Sequence, residues 1–145
     1  GQGAADNEAA DRLAAAGYAG IAIDVYGKGQ RGEPMADNGH LMGPWMADRA
    51  ALRTRLLAAV TAAAAHPAVD AGRMAIMGYC FGGLCALDVA RSGDARILGA
   101  VSFHGVYAPP DIGPQGAIGA RVLVLHGWED PLCPPDATVA LAREL

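Results

Sequence analysis

At 145 residues the chain has the size of one domain with a sizeable core. Hydrophobic residues make up 52% and charged residues 18%, which excludes a disordered chain. A formal net charge of -4 without any basic cluster argues against nucleic acid, and no unbroken apolar run is long enough to span a bilayer.

The first predicted element is a helix over residues 5–16, with Leu13 and several alanines on its apolar side. Gly17 stands where a C′ glycine ends a helix. Tyr18-Ala-Gly-Ile-Ala-Ile-Asp24 is short and apolar and predicts a buried strand. Residues 24–43 are rich in Gly, Pro, Asp and Asn and carry Lys28, Arg31, Glu33, Asp37 and His40. A loop of that length is more than a connector and points to function. A long helix is expected over residues 44–65, where Leu52, Leu56 and Val60 recur at four-residue spacing and Arg49, Arg53 and Arg55 fall elsewhere on the wheel.

His66-Pro67 stops that helix. The run Arg73-Met-Ala-Ile-Met77 predicts the next strand, and Leu84-Cys-Ala-Leu-Asp-Val-Ala90 a helix that ends near Arg91-Ser-Gly93. Residues 97–103 predict another strand, 104–120 a second long loop, and 122–125 a further strand. Pro134-Pro135 opens a last helix that is still running at Leu145.

Helix and strand alternate, the strands are continuously apolar, and no hairpin turn joins them. The expected fold is therefore α/β, a parallel sheet flanked by helices on both faces. No repeat or linker divides the chain, so residues 1–145 are expected to form a single domain. Four strands, a start at a helix and a stop inside an element suit a domain truncated at both ends. The opening Gly1-Gln-Gly-Ala-Ala-Asp6 lacks the basic and apolar regions of a secretory leader. Three cysteines without a C-x-x-C pair suit a reducing compartment, and a cytoplasmic location is expected.

The chemistry centres on Gly78-Tyr79-Cys80-Phe81-Gly82-Gly83, set between a predicted strand and a predicted helix. This is the nucleophile-elbow pattern G-x-S-x-G with cysteine in place of serine. A sharp strand-to-helix turn strains the central residue, while Gly78 and Gly82, without Cβ atoms, let the two arms pass closely. The sulfur is then presented beyond the sheet at a helix N-terminus, which favours the thiolate. The N–H of Phe81 would face the developing oxyanion. Free cysteine is more commonly a core residue; the strand and helix that bracket this one favour the elbow.

These residues resemble the dienelactone hydrolase family, the cysteine branch of the α/β-hydrolases. The resemblance extends through Ala22-Ile-Asp24-Val-Tyr26-Gly27, Val101-Ser-Phe-His104-Gly105 and Val124-Leu-His126-Gly127-Trp-Glu-Asp130-Pro131. It implies an α/β-hydrolase fold, hydrolysis of a small ester or enol-lactone, and no cofactor.

In parallel sheets the site lies at the carboxyl ends of the strands, where Asp24, Cys80, His104 and Asp130 are expected. The order for this fold is nucleophile, acid, histidine. Asp130 stands where the acid belongs, with Glu129 the adjacent alternative and a plain turn aspartate before Pro131 the structural one. No histidine follows Asp130, so the triad base is expected beyond Leu145. His104 and His126 are expected to pack or bond locally, and His40 and His66 to be solvated. None has metal-ligand spacing, so no metal is assigned.

The second oxyanion donor is expected from a loop ending at or before Gly1, and the family's glutamate that contacts the resting cysteine has no counterpart here. Cys85 is expected in the core and Cys133 in a half-buried loop. Arg31, Arg49 and Arg53 could meet a substrate carboxylate, although a solvated helix face suits the last two better. Two rival readings are a non-catalytic α/β binding or scaffold module and a thiol-based redox protein. Coding sequence running past Leu145 to a strand and a histidine separates the first reading from the module.

Overall fold

Among the described residues, the short apolar runs between turn residues become three parallel strands, and the stretches of helical spacing become five helices. A computed structural model describes residues 2–33 and 36–145. Gly1, near the expected oxyanion loop, and Pro34 and Met35 of the first long loop lie outside the described residues. The chain divides into two compact units, residues 1–69 and 70–145.

The first unit holds α1 (Ala4–Ala15), α2 (Gly39–Ala47) and α3 (Arg49–Ala64). Asp6 accepts the Gly3 N–H at 2.8 Å at the start of α1. Its end is the expected one: Gly17 takes φ 92°, and the Gly17 and Tyr18 amides donate to Ala14 and Leu13 carbonyls, each at 3.0 Å. That is a Schellman motif.

Two expectations fail in this unit. Residues 18–24 form no strand and join no sheet. An apolar run becomes a strand only when a neighbour accepts its ladder bonds, and among the described residues this unit holds no strand. Instead, Ile21, Ile23 and Asp24 border an open groove of about 350 Å³ with Ala59, Ala63 and His66 of the α3 end.

The single helix over 44–65 is two helices. Asp48, at φ -125° and ψ 80°, leaves the helical region, and its carboxylate caps α3 by accepting the Ala51 N–H at 2.9 Å. Pro44, expected to open a helix, lies inside α2, which begins at Gly39 and shortens the first loop. The buried stripe of α3 is Leu52, Leu56 and Val60 as expected, but Arg49 joins it at 8% exposure and is not on a solvated face.

The second unit is built on β1 (Met74–Tyr79), β2 (Ile97–Phe103) and β3 (Arg121–Leu125), in the order β1-β2-β3 and parallel throughout. Among the described residues the sheet has three strands where four were expected, because 18–24 is not among them. The register places Tyr79, Phe103 and Leu125 in one row at the carboxyl end.

Between β1 and β2 runs α4 (Phe81–Arg91), packed on both strands and buried along nearly all its length. A helix apolar on all sides is a core helix. α5 (Pro135–Glu144) contributes Leu141 to a cluster with Leu87, Tyr107 and Cys133, against which Val122 and Val124 pack. α4 and α5 thus share one face of the sheet. Leu123 and Leu125, pointing the other way, are about half exposed.

One buried polar group ties this unit together. Arg91, 2% exposed, donates to both Glu144 oxygens at 2.7 Å and to the Tyr107 carbonyl at 2.8 Å, with Asp88 at 3.4 Å. Paired from several sides, a buried guanidinium is tolerable; alone it would be severely destabilising.

Candidate active site

Cys80 caps α4 directly after β1, at φ 54° and ψ -117°. A non-glycine residue at positive φ is strained, and here the packing around it imposes the strain. A Cβ on Gly78 would lie 2.1 Å from the Gly82 carbonyl oxygen, so the strand and the helix touch backbone to backbone. Only glycine permits that approach.

At Gly82, the other glycine expected to let the arms pass, a Cβ would meet nothing within 4 Å. The second required glycine is Gly83. Its Cβ would come within 2.6 Å of the Ser102 hydroxyl and 2.9 Å of the Gly105 Cα. The fully buried Ser102 and Gly105 therefore seat the start of α4 on the end of β2. The doubled glycine after Phe81 was the available signal for this contact.

The Cys80 side chain is exposed, whereas Cys85 and Cys133 are buried. Cys133 was expected to be half-buried, but the turn after β3 folds its side chain into the cluster under α5. Burial, and secondarily the nearby Asp130 charge, push its thiol up from the ordinary value despite a backbone hydrogen bond at Tyr107. Phe81 opens α4 at its first helical position, which puts its N–H at the positive end of the helix beside the sulfur-bearing residue.

Hydrogen bonds past the strand ends fix the remaining residues. The Cys80 N–H donates to the Phe103 carbonyl at 2.9 Å, and the His104 N–H to the Leu125 carbonyl at 2.8 Å. The sheet thereby continues by one residue, and the row after Tyr79, Phe103 and Leu125 begins with Cys80 and His104. His104 is exposed at φ 38°, its ring tilted toward Tyr79 at 6.5 Å.

Asp130 lies in the turn that follows β3. Its N–H donates to the Gly127 carbonyl at 3.1 Å, and its Oδ1 accepts the Leu132 N–H at 2.9 Å, an Asx turn. Among the described residues no hydrogen bond reaches Oδ2. Glu129 is exposed. His126 bonds locally as expected, its Nε2 2.9 Å from the Cys133 carbonyl oxygen.

Asp24 belongs to the first unit, where Oδ1 accepts the Gly27 N–H at 3.0 Å and closes a turn. His40 and His66 are also in that unit and exposed; His66 Nδ1 accepts the Ala68 N–H at 3.2 Å. Arg31 is exposed. Among the described residues no group of three His, Cys, Asp or Glu side chains could hold a metal ion, and no helix is long and apolar enough to cross a membrane.

A parallel α/β sheet with a strained cysteine at a strand-to-helix elbow defines the class. The sequence matches the dienelactone hydrolase family across residues 2–145. The chain belongs to that family.

Two solved structures are similar over 95% of the chain. One, named m3DLH, has a TM-score of 0.82 at 39% identity; the other, a dienelactone hydrolase-like promiscuous phosphotriesterase from metagenomic libraries, has a TM-score of 0.85 at 36% identity. A curated relative from Caenorhabditis elegans, the uncharacterized protein K02A2.1, is 43% identical over 75 residues, 52% of the chain. The chain spans 57% of each solved structure and 48% of the curated relative.

Proposed function

We propose that this segment carries the nucleophile and the acid of a cysteine hydrolase acting on small carboxylic esters or enol-lactones. The observation that supports it most directly is Cys80: exposed, strained at φ 54°, and lifted by the Gly78–Gly82 contact to the head of α4. A purely structural cysteine has no need of that conformation.

In the proposed reaction the Cys80 sulfur attacks the carbonyl carbon, and the carbonyl π pair moves onto oxygen. The Phe81 N–H faces that oxyanion. A histidine, expected outside residues 1–145, takes the thiol proton and returns it to the departing alkoxide or enolate. Asp130 orients the histidine through Oδ2, Oδ1 being held by Leu132. Water then attacks the acyl-thioester carbon, the carbon–sulfur bond breaks, and the acid and the thiol are released. His126 suits the base poorly, because its Nε2 is bonded to the Cys133 carbonyl and its Nδ1 is buried.

The test uses the complete gene product with an activated aryl ester and, given the phosphotriesterase neighbour, an aryl phosphotriester. Cys80→Ala should lower turnover by about 10³-fold or more. Asp130→Asn should lower it by roughly 10²–10⁴-fold, while Glu129→Gln leaves it unchanged. Full activity of Cys80→Ala sinks the nucleophile, and an inactive Glu129→Gln beside an active Asp130→Asn moves the acid.

A further inference from the structure

We infer that His126 is a positioning residue, holding Asp130 in place through the Cys133 carbonyl; this rests on the reading of Asp130 as the triad acid. A carbonyl oxygen only accepts, so the 2.9 Å contact requires that Nε2 carry the proton and donate it. The two bonded residues stand on either side of the acid, and their bond closes the neck of the turn over residues 126–133.

Inside the turn, the Asp130 N–H bonds Gly127, the Leu132 N–H bonds Asp130 Oδ1, and the Cys133 N–H bonds the Asp130 carbonyl at 3.2 Å. Those bonds are local and keep the shape of the turn. They do not fix its angle to the sheet. Two anchors set that angle: the Cys133 side chain, buried with Leu87, Tyr107 and Leu141, and the neck bond, whose donor His126 directly follows the β3 residue Leu125.

The ring of His126 is itself held. Tyr107 packs on it with centroids 4.8 Å apart at 55°. Tyr107 is 2% exposed, and Arg91 grips its carbonyl at 2.8 Å. Its hydroxyl is pushed up to about 12, mainly by burial and further by Cys133 and Asp130. The line of support runs from Glu144 through Arg91, Tyr107 and His126 to the neck of the acid turn. A misplacement of about 1 Å in a catalytic group can cost on the order of 10²-fold in rate, so such a support has a measurable effect.

The experiment compares His126→Met, which keeps bulk and loses the donor, with His126→Gln, which keeps an N–H at similar reach, in the complete gene product on an activated ester. His126→Met should lower kcat about 10–100-fold with KM within about threefold. His126→Gln should return kcat to within about threefold of the parent. Because His126 acts through Asp130, His126→Met combined with Asp130→Asn should be no slower than Asp130→Asn alone.

A folded His126→Met protein with the parental kcat, beside an impaired Asp130→Asn, overturns the inference and leaves the acid reading intact. An Asp130→Asn protein with full turnover removes the acid reading, and the inference with it. Should His126→Met fail to fold, His126→Gln is compared with His126→Asn, whose amide is too short for the carbonyl. Equal kcat in those two overturns the inference.

Discussion

The turns after β1 and β3 end strands of one sheet, yet they are held by opposite means. The Cys80 turn is a matter of volume: Gly78 against the Gly82 backbone, Gly83 against Ser102 and Gly105, with no room for a methyl group. The Asp130 turn, packed through the Cys133 side chain, takes its shape from hydrogen bonds: Leu132 to Asp130, Cys133 to Asp130, and His126 to the Cys133 carbonyl. A turn held by contact fails abruptly when an atom is added. A turn held by bonds loosens when a donor is removed and keeps its outline.

That contrast is most exposed by two alanines four residues apart. Gly78→Ala should destabilise the complete gene product by more than about 3 kcal/mol in urea denaturation, or prevent folding, because its Cβ meets backbone that cannot swing aside. Gly82→Ala, with nothing within 4 Å and a helical position, should fall within about 1 kcal/mol of the parent. Equal losses at the two sites would break the distinction.

A smaller effect separates the thiols. Partial iodoacetamide labelling, mapped by mass spectrometry, should modify Cys80 faster than Cys85 and Cys133 by on the order of 10²-fold or more, since buried thiols react only through openings of the fold. Cys85 or Cys133 reacting first would remove the exposed-nucleophile side of the comparison.

The smallest effect tests the bonded side at its far end. Hydrogen bonds from Arg91 hold the Glu144 carboxyl below its usual value of 4.5. A carboxyl depressed in the folded state stabilises above its unfolded value, and that stability is lost as pH falls through the folded value. Stability should therefore drop on acidification below about pH 4.5. Glu144→Gln should cost roughly 1–3 kcal/mol at neutral pH and flatten the acid slope. An unchanged slope would place the support elsewhere.

The sequence was most legible where structure is local. Ile97–Phe103 falls where its apolar run predicts, and the elbow announces itself because contact-held turns demand glycine. Even there, the pattern credited Gly82 with a role that packing gives to Gly83, since Ser102 and Gly105 come from β2 and the segment just after it. The long helix broke at Asp48 because a polar residue inside a helical run reads equally as surface or cap. Residues 18–24 have the composition of a strand, but a strand is a relation between two segments and only one is written there. The support of the acid turn was invisible for the same reason. Arg91 meets Glu144 across 53 residues, and nothing in either neighbourhood names the other.

The in-register row of Tyr79, Phe103 and Leu125 makes the sheet a ruler between the Cys80 and Asp130 turns. The turns that carry Cys80 and Asp130 follow strands two spacings apart, about 9.6 Å across the sheet, with β2 the graduated edge between them. Slipping β2 by one residue would move its ladder contacts by about 3.3 Å along the strand and turn Ser102 out of its seat under Gly83. Insertions should therefore be accepted in the exposed stretch 113–117 and refused within the seven residues of β2, a pattern of tolerance that belongs to measurement along a scale rather than to chemistry at a point.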